Sequence, residues 1–252
     1  MTVAGANAWY GSSGLATGIT FPLSGMQAGD QLVTTTMHTS TTVTANPTPG
    51  TWTKRVDVPV GTRGLVVCTK AWEGESSVSV PLSVGASHTT ALLVVRGAQA
   101  HTAWVYGAVG KRAASSATTT VPGVSVPVPG SLVLTLAGEA TTATEATGPT
   151  VTAGTSAQWM YAPQSAQIET VWVGTETPSG GSTSDVTLAY VNASANGIGI
   201  QIAALAPAAA VGGRPKVWTG SAYAPKPGKW WNGTAWVEKP WKRWNGSSWT
   251  PV

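Results

Sequence analysis

The chain is 252 residues long, only 10% of them charged against roughly 25% in an ordinary soluble protein, with 30 glycines, 17 prolines and a formal net charge of +4. That length suits one large β domain or two small ones, and the composition is that of an all-β protein with many turns or of an assembly component covered by partners. A single cysteine, Cys68, excludes an intramolecular disulfide and a four-cysteine zinc site, and no apolar run approaches the ~20 residues of a membrane helix.

Residues 2–20, rich in Gly, Ala, Ser and Thr and anchored by Trp9-Tyr10, read as an arm or first strand. Short β-branched runs then follow at 31–38, 41–45, from 52, at 64–72, 77–82 and 90–96, with Pro47-Thr-Pro-Gly50 as a turn. Runs of this length separated by turn residues predict a sandwich or barrel. Pro81 removes a ladder donor and predicts an edge or strand end there. Cys68 sits in Leu65-Val66-Val67-Cys68 and reads as a small buried hydrophobe.

The second half answers the first in pattern and order. Pro129–Leu136 matches Gly29–Thr36 at an offset of 100, 168–173 matches 65–70, 185–190 matches 78–82, and 197–203 matches 90–96. We therefore expect an antiparallel, jelly-roll-like β-sandwich body over 1–206 in two pseudo-repeated halves, about 20–100 and 120–206. One sandwich is preferred to two tandem ones, because five or six strands per half leave an inner face to cover. Residues 207–213, Ala/Gly-rich and without alternation, read as a linker.

From 214 to 252 a unit recurs at a step of 13: Trp218-Thr-Gly-Ser-Ala-Tyr223, Trp231-Asn-Gly-Thr-Ala-Trp236 and Trp244-Asn-Gly-Ser-Ser-Trp249, with Lys216, Lys229 and Lys242 two residues ahead of each. Asn-Gly between apolar residues signals a hairpin, and a four-residue loop places the flanking aromatics opposite each other. Three hairpins are expected, and one alone is marginal in water. This stretch holds seven basic residues and one acid, a net charge of +6, whereas 1–213 carries −2. Basic residues among aromatics suit a polyanion, but no nucleic-acid motif accompanies them, so a neighbouring protein or an anionic surface polymer is expected instead.

Little else points to chemistry. His38, His88 and His101 lack metal-ligand spacing and read as surface or turn residues; Glu73-Gly-Glu75 reads as a solvated turn. Gly11-Ser-Ser-Gly14 and Ser179-Gly-Gly-Ser182 lack the Lys-Ser/Thr of a phosphate loop and read as loops. Asn192, Asn232 and Asn245 match the glycosylation pattern, the latter two through turn chemistry. No catalytic residue, cofactor or metal is expected. The start has no basic region followed by an apolar core, so no signal peptide is expected.

Taken together, Ala28-Gly-Asp-Gln-Leu-Val33, Pro49-Gly-Thr-Trp-Thr53, Leu65 to Trp72, Pro129-Gly-Ser-Leu-Val133 and the terminal repeats resemble minor tail and related virion proteins of tailed bacteriophages infecting high-GC Gram-positive hosts. The resemblance implies a non-enzymatic β-sandwich subunit of the particle, homo-oligomeric and released by lysis; a trimer is favoured, and no nucleic-acid or membrane partner is expected. Capsid decoration and host cell-wall glycan binding are the alternatives. Trp218, Tyr223, Trp231, Trp236, Trp244, Trp249, Lys216, Lys229 and Lys242 are the candidate contact residues for a protein or glycan partner.

Overall fold

β-branched runs and positive-φ turns make the regular structure of the described residues strand, save one three-residue turn of 3-10 helix. The computed structural model describes residues 2–3, 9–39, 45–112, 118–141, 150–153, 160–161, 168–189, 196–207, 216–218, 223–225, 228–239, 242–244 and 249–251. It divides into two compact units, Met1–Ala206 and Pro207–Val252. The expected strand at 41–45 (save Ala45) and most of the expected linker lie outside the described residues.

In the body, β1 (Thr2–Val3), β2 (Trp9–Pro22), β3 (Gln31–Thr39), β4 (Thr53–Val60), β5 (Arg63–Ala71) and β6 (Ser77–Arg96) form one antiparallel sheet in the order β1-β6-β3-β5-β4, with β2 also on β6. β7 (Val105–Tyr106), β8 (Gly110–Arg112), β9 (Thr118–Val121), β10 (Ser125–Val126), β11 (Leu132–Thr141), β12 (Thr150–Ala153), β13 (Met160–Tyr161), β14 (Ile168–Glu176), β15 (Gly181–Ser182), β16 (Val186–Ala189) and β17 (Gly197–Ala204) complete it. The second large sheet runs β13-β14-β11-β17-β7, with β8 also on β17. Each half thus holds the same antiparallel trio, β5-β3-β6 and β14-β11-β17, around a central strand.

The two trios pack face to face. Val33, Met37, Leu65, Val67, Leu93 and Val95 from one sheet share a core with Leu132, Leu134, Leu136, Val171, Val173, Ile198, Ile200 and Ile202 from the other. The outer faces are covered as well. Leu32, Val66, Cys68, Leu92 and Val94 pack under Phe21, Val78, Val80 and Leu82. On the far side Trp172 lies with Val121, Val186 and Leu188, and Val133 with Val124, Val126 and Leu205. The body is therefore layered more deeply than a two-sheet sandwich: each trio is buried on both faces, the condition under which strands lose clean alternation. Threonines of β3 are buried accordingly, and Thr36 meets Thr90 hydroxyl to hydroxyl at 2.9 Å.

Four sequence expectations change. The runs at 77–82 and 90–96 belong to one 20-residue strand, because no Pro, Asn or Asp breaks the chain between Leu82 and Arg96 and β2 runs beside it. Pro81 is consequently not at an edge. It faces Gly18 in β2, where the register shifts, while Ala45 and Thr48 bridge to β6 from the other side. Gly11-Ser-Ser-Gly14 is part of β2 rather than a loop. The offset of 100 also pairs opposite faces, since Leu32 lies in the outer cluster and Leu132 in the shared core.

In the second unit, β18 (Lys216–Trp218) pairs β19 (Tyr223–Pro225), β20 (Gly228–Trp231) pairs β21 (Trp236–Lys239), and β22 (Lys242–Trp244) pairs β23 (Trp249–Pro251), all antiparallel.

Candidate functional site

The repeated hairpin is built from its turn outward. In the middle copy, the Asn232 side-chain oxygen accepts from the backbone N–H groups of Thr234 and Ala235 at 2.9 and 2.8 Å, and the Asn232 N–H donates to the Ala235 carbonyl at 3.1 Å. Gly233 takes φ +101°, a conformation open to glycine. Asparagine therefore works here through its side chain, as an Asx turn. Closing the loop at that length puts Trp231 directly opposite Trp236.

The same register recurs: Trp218 faces Tyr223 and Trp244 faces Trp249. For Trp218, Tyr223, Trp244, Trp249, Lys216 and Lys242 the backbone register alone is described. In the middle hairpin the side chains of Lys229 and of 231–237 are described. The Trp231 and Trp236 rings lie 5.8 Å apart, centroid to centroid, tilted by 58°. They remain 51% and 66% exposed, the large hydrophobic side chains most open to solvent among the described residues. Lys229 is exposed and, two residues before Trp231, lies on the same face of the strand. Glu238 is its cross-strand neighbour, whereas Lys216 and Lys242 sit opposite Pro225 and Pro251.

The body's ionisable groups are engaged internally. All three histidines are buried, contrary to the surface reading: His38 faces His88 across β3 and β6, and His101 lies in the short turn His101–Ala103. For His38 and His88 alternation fails as a guide because both faces of the trio are covered. The His101 Nδ1 accepts from Thr69 Oγ1 at 3.0 Å and from Arg55 Nη2 at 3.1 Å, while Arg55 Nε donates to Thr69 Oγ1 at 3.0 Å. A guanidinium can only donate, so Nδ1 is held unprotonated. Burial, and then the Arg55 charge, push the His101 pKa below 6.5. Arg55 also stacks on Tyr106 at 4.5 Å, and the Tyr106 hydroxyl donates to the His101 carbonyl at 2.9 Å.

Lys70, with its side chain 2% exposed, contacts Glu73 at 3.0 Å and Glu75 at 3.1 Å and lies 6.0 Å from the Trp52 ring. The Glu73-Gly-Glu75 turn is thus solvated at Glu73 and largely buried at Glu75, whose side chain is 6% exposed. Burial raises the Glu75 pKa, but the backbone N–H groups of Glu75 and Glu73, together with Lys70, more than offset it and leave it lowered. Asp30 is fixed by a two-point bond to Arg96, both contacts 2.8 Å, and by the Gln27 N–H at 2.8 Å. Arg96 holds its carboxyl below 3.8 against the effect of burial. Arg112 and Glu139, 2% and 0% exposed, form a third buried pair. Sequence reading named His101 and Glu73-Gly-Glu75 but not their partners, and it did not single out Asp30–Arg96 or Arg112–Glu139, whose members lie far apart in the chain.

Among the described residues, no three His, Cys, Asp or Glu side chains gather in a metal-binding group, and no helix is long and apolar enough to cross a membrane. Asn192 and Asn245 lie outside the described residues. Comparison with protein-family models, curated proteins and solved structures finds no match.

Proposed function

We propose that this chain is a non-enzymatic structural protein of a tailed-bacteriophage virion, a minor tail protein whose layered body builds into the particle and whose aromatic hairpins make contacts beyond it. The observation that carries the reading is the exposed Trp231–Trp236 pair on a hairpin that recurs three times at a fixed step. Tryptophan supplies large contact area at low entropic cost, and rings left open to water on so small a scaffold are suited to a partner. The resemblance of the repeats and of the Gly-Asp-Gln-Leu-Val and Pro-Gly-Thr-Trp-Thr segments supports a virion setting. The low charge of the body, with its buried ion pairs turned inward, supports packing against other subunits.

Capsid decoration is the neighbouring reading. Mass spectrometric copy counting on purified particles, with tail and capsid fractions separated, tests both: a fixed number per tail is the expected result, a count scaling with capsomers favours decoration, and absence from particles refutes a virion role.

A further inference from the structure

We propose that the C-terminal hairpins bind an acidic polysaccharide, one sugar ring per aromatic face with the lysines meeting its carboxylate or phosphate groups. The site goes beyond particle membership, since it belongs to the chain itself and is testable away from any particle.

The middle hairpin shows the required chemistry on one face. Trp231, Trp236 and Lys229 lie together by strand period and cross-strand register, and all three are exposed. A pyranose presents a flat, weakly polar C–H face that packs on one aromatic face, while its anionic substituents stay in reach of an ammonium group. A nucleic-acid strand asks for something different. Bases stack on successive platforms, and the rings of Trp231 and Trp236, in contact and tilted by 58°, leave no parallel slot for a base between them.

Charge selects the polymer class. The 214–252 stretch carries seven basic residues against one acid. Lys216 and Lys242 stand opposite prolines, so no acid faces them across their own hairpins. The strict step of 13 then favours a polymer over a folded protein surface. A chain of like units presents the same group to each hairpin, whereas a protein surface presents a different neighbour to each. Weak equal sites joined in one chain gain strength through effective concentration, without a deep pocket at any one of them.

The test uses the full-length protein immobilised for biosensor binding, with alginate and a sugar-substituted polyglycerol phosphate as probes. Neutral pullulan, polyphosphate and single-stranded oligo-dT are the controls. We expect at least one acidic glycan to bind, with each control roughly tenfold weaker or more, and binding to weaken as salt screens the lysines. W231A/W236A should lower affinity roughly tenfold, the range of a buried aromatic anchor. W231F/W236F should restore most of it, and K229Q should weaken acidic glycans while leaving pullulan unchanged. Unaltered amide exchange at Thr234 and Ala235 shows that the hairpin turn of the variants is intact, and unaltered thermal unfolding shows that the body is. No binding to either acidic glycan overturns the proposal. So does equal binding of polyphosphate, which means charge alone, equal binding of pullulan, or tighter binding of oligo-dT. Loss of self-association in W231A/W236A without any glycan effect assigns the rings to a second copy instead. A chain absent from particles can still pass this test, and a virion protein can fail it.

Discussion

Arg112 reaches Glu139 across a glycine. Gly197 of β17 lies in register with Arg112 of β8 on one side and Glu139 of β11 on the other, so the missing side chain leaves room for the guanidinium to cross the strand. Both partners are essentially without solvent. Removing one leaves the other charged and buried, so R112M or E139Q alone should lower unfolding free energy by about 3–5 kcal/mol. Replacing both with apolar residues of similar volume should recover much of that loss. Urea denaturation of the two single variants and the double variant reads the coupling.

The His101 ring predicts how stability follows pH. Its pKa is lowered on folding, so the unfolded chain binds a proton more readily. The stabilisation from keeping it neutral is present above about 6.5, the unfolded value, and is lost as pH falls below it. Protonation there sets Nδ1–H against the Arg55 guanidinium, which can only donate, loosening the link from β4 to the turn before β7. In H101N an amide oxygen takes the place of Nδ1. Denaturation midpoints measured between pH 7.5 and 5 should fall less steeply in H101N than in the parent; identical slopes refute the assignment.

Much of this was readable from the chain, and the parts that were not share a cause. The central strands β3, β5, β11, β14 and β17 announce themselves as β-branched runs between turn residues, and the hairpins follow from the step of 13. The burial of His38, His88 and Lys70 did not, because alternation reports burial on one face of a sheet and here both faces of each trio are covered, and His101 lies in a turn, where alternation says nothing. Glu75 and Asp30 look like ordinary loop acids, but Lys70 folds onto Glu75 from the strand that precedes its turn and Arg96 reaches Asp30 from the end of β6. The candidate site was legible for the same reason that the ion pairs were not. Its residues are neighbours in sequence, joined by one short turn.

Asn232 fixes that turn through two N–H acceptances. N232A should open it, and amide exchange at Thr234 and Ala235 should quicken by roughly three- to tenfold, the loss of about 0.5–1.5 kcal/mol per hydrogen bond. Heteronuclear exchange measurements at these two amides check it, with the body's amides as an internal control.

Burial pushes the Cys68 thiol up to about 11. The thiolate is the reactive form, so the native protein should resist thiol reagents at pH 8 and label only on unfolding. Labelling rates that follow denaturant concentration, extrapolating to near zero in buffer, are the expected result. Rapid labelling of native protein contradicts the packing of Cys68 with Val66 and Leu92.

Between the halves, a side chain at Gly138 would place its Cβ 2.8 Å from the Met37 sulfur. G138V should therefore cost about 1–3 kcal/mol by overpacking, and M37A in the same chain should relieve part of it. A double-mutant cycle by urea denaturation measures that relief.

The shared core has a consequence for synthesis. β3, β5 and β6 are complete once Arg96 has left the ribosome, and their outer face closes at once over Phe21, Val78 and Val80. Their other face, with Val33, Leu65, Leu93 and Val95, waits for β11, β14 and β17 to be translated. The nascent first half is thus a half-finished surface that attracts any matching sheet, including that of a neighbouring nascent chain. The time taken to elongate through 97–204 sets how long that face waits for its own partner.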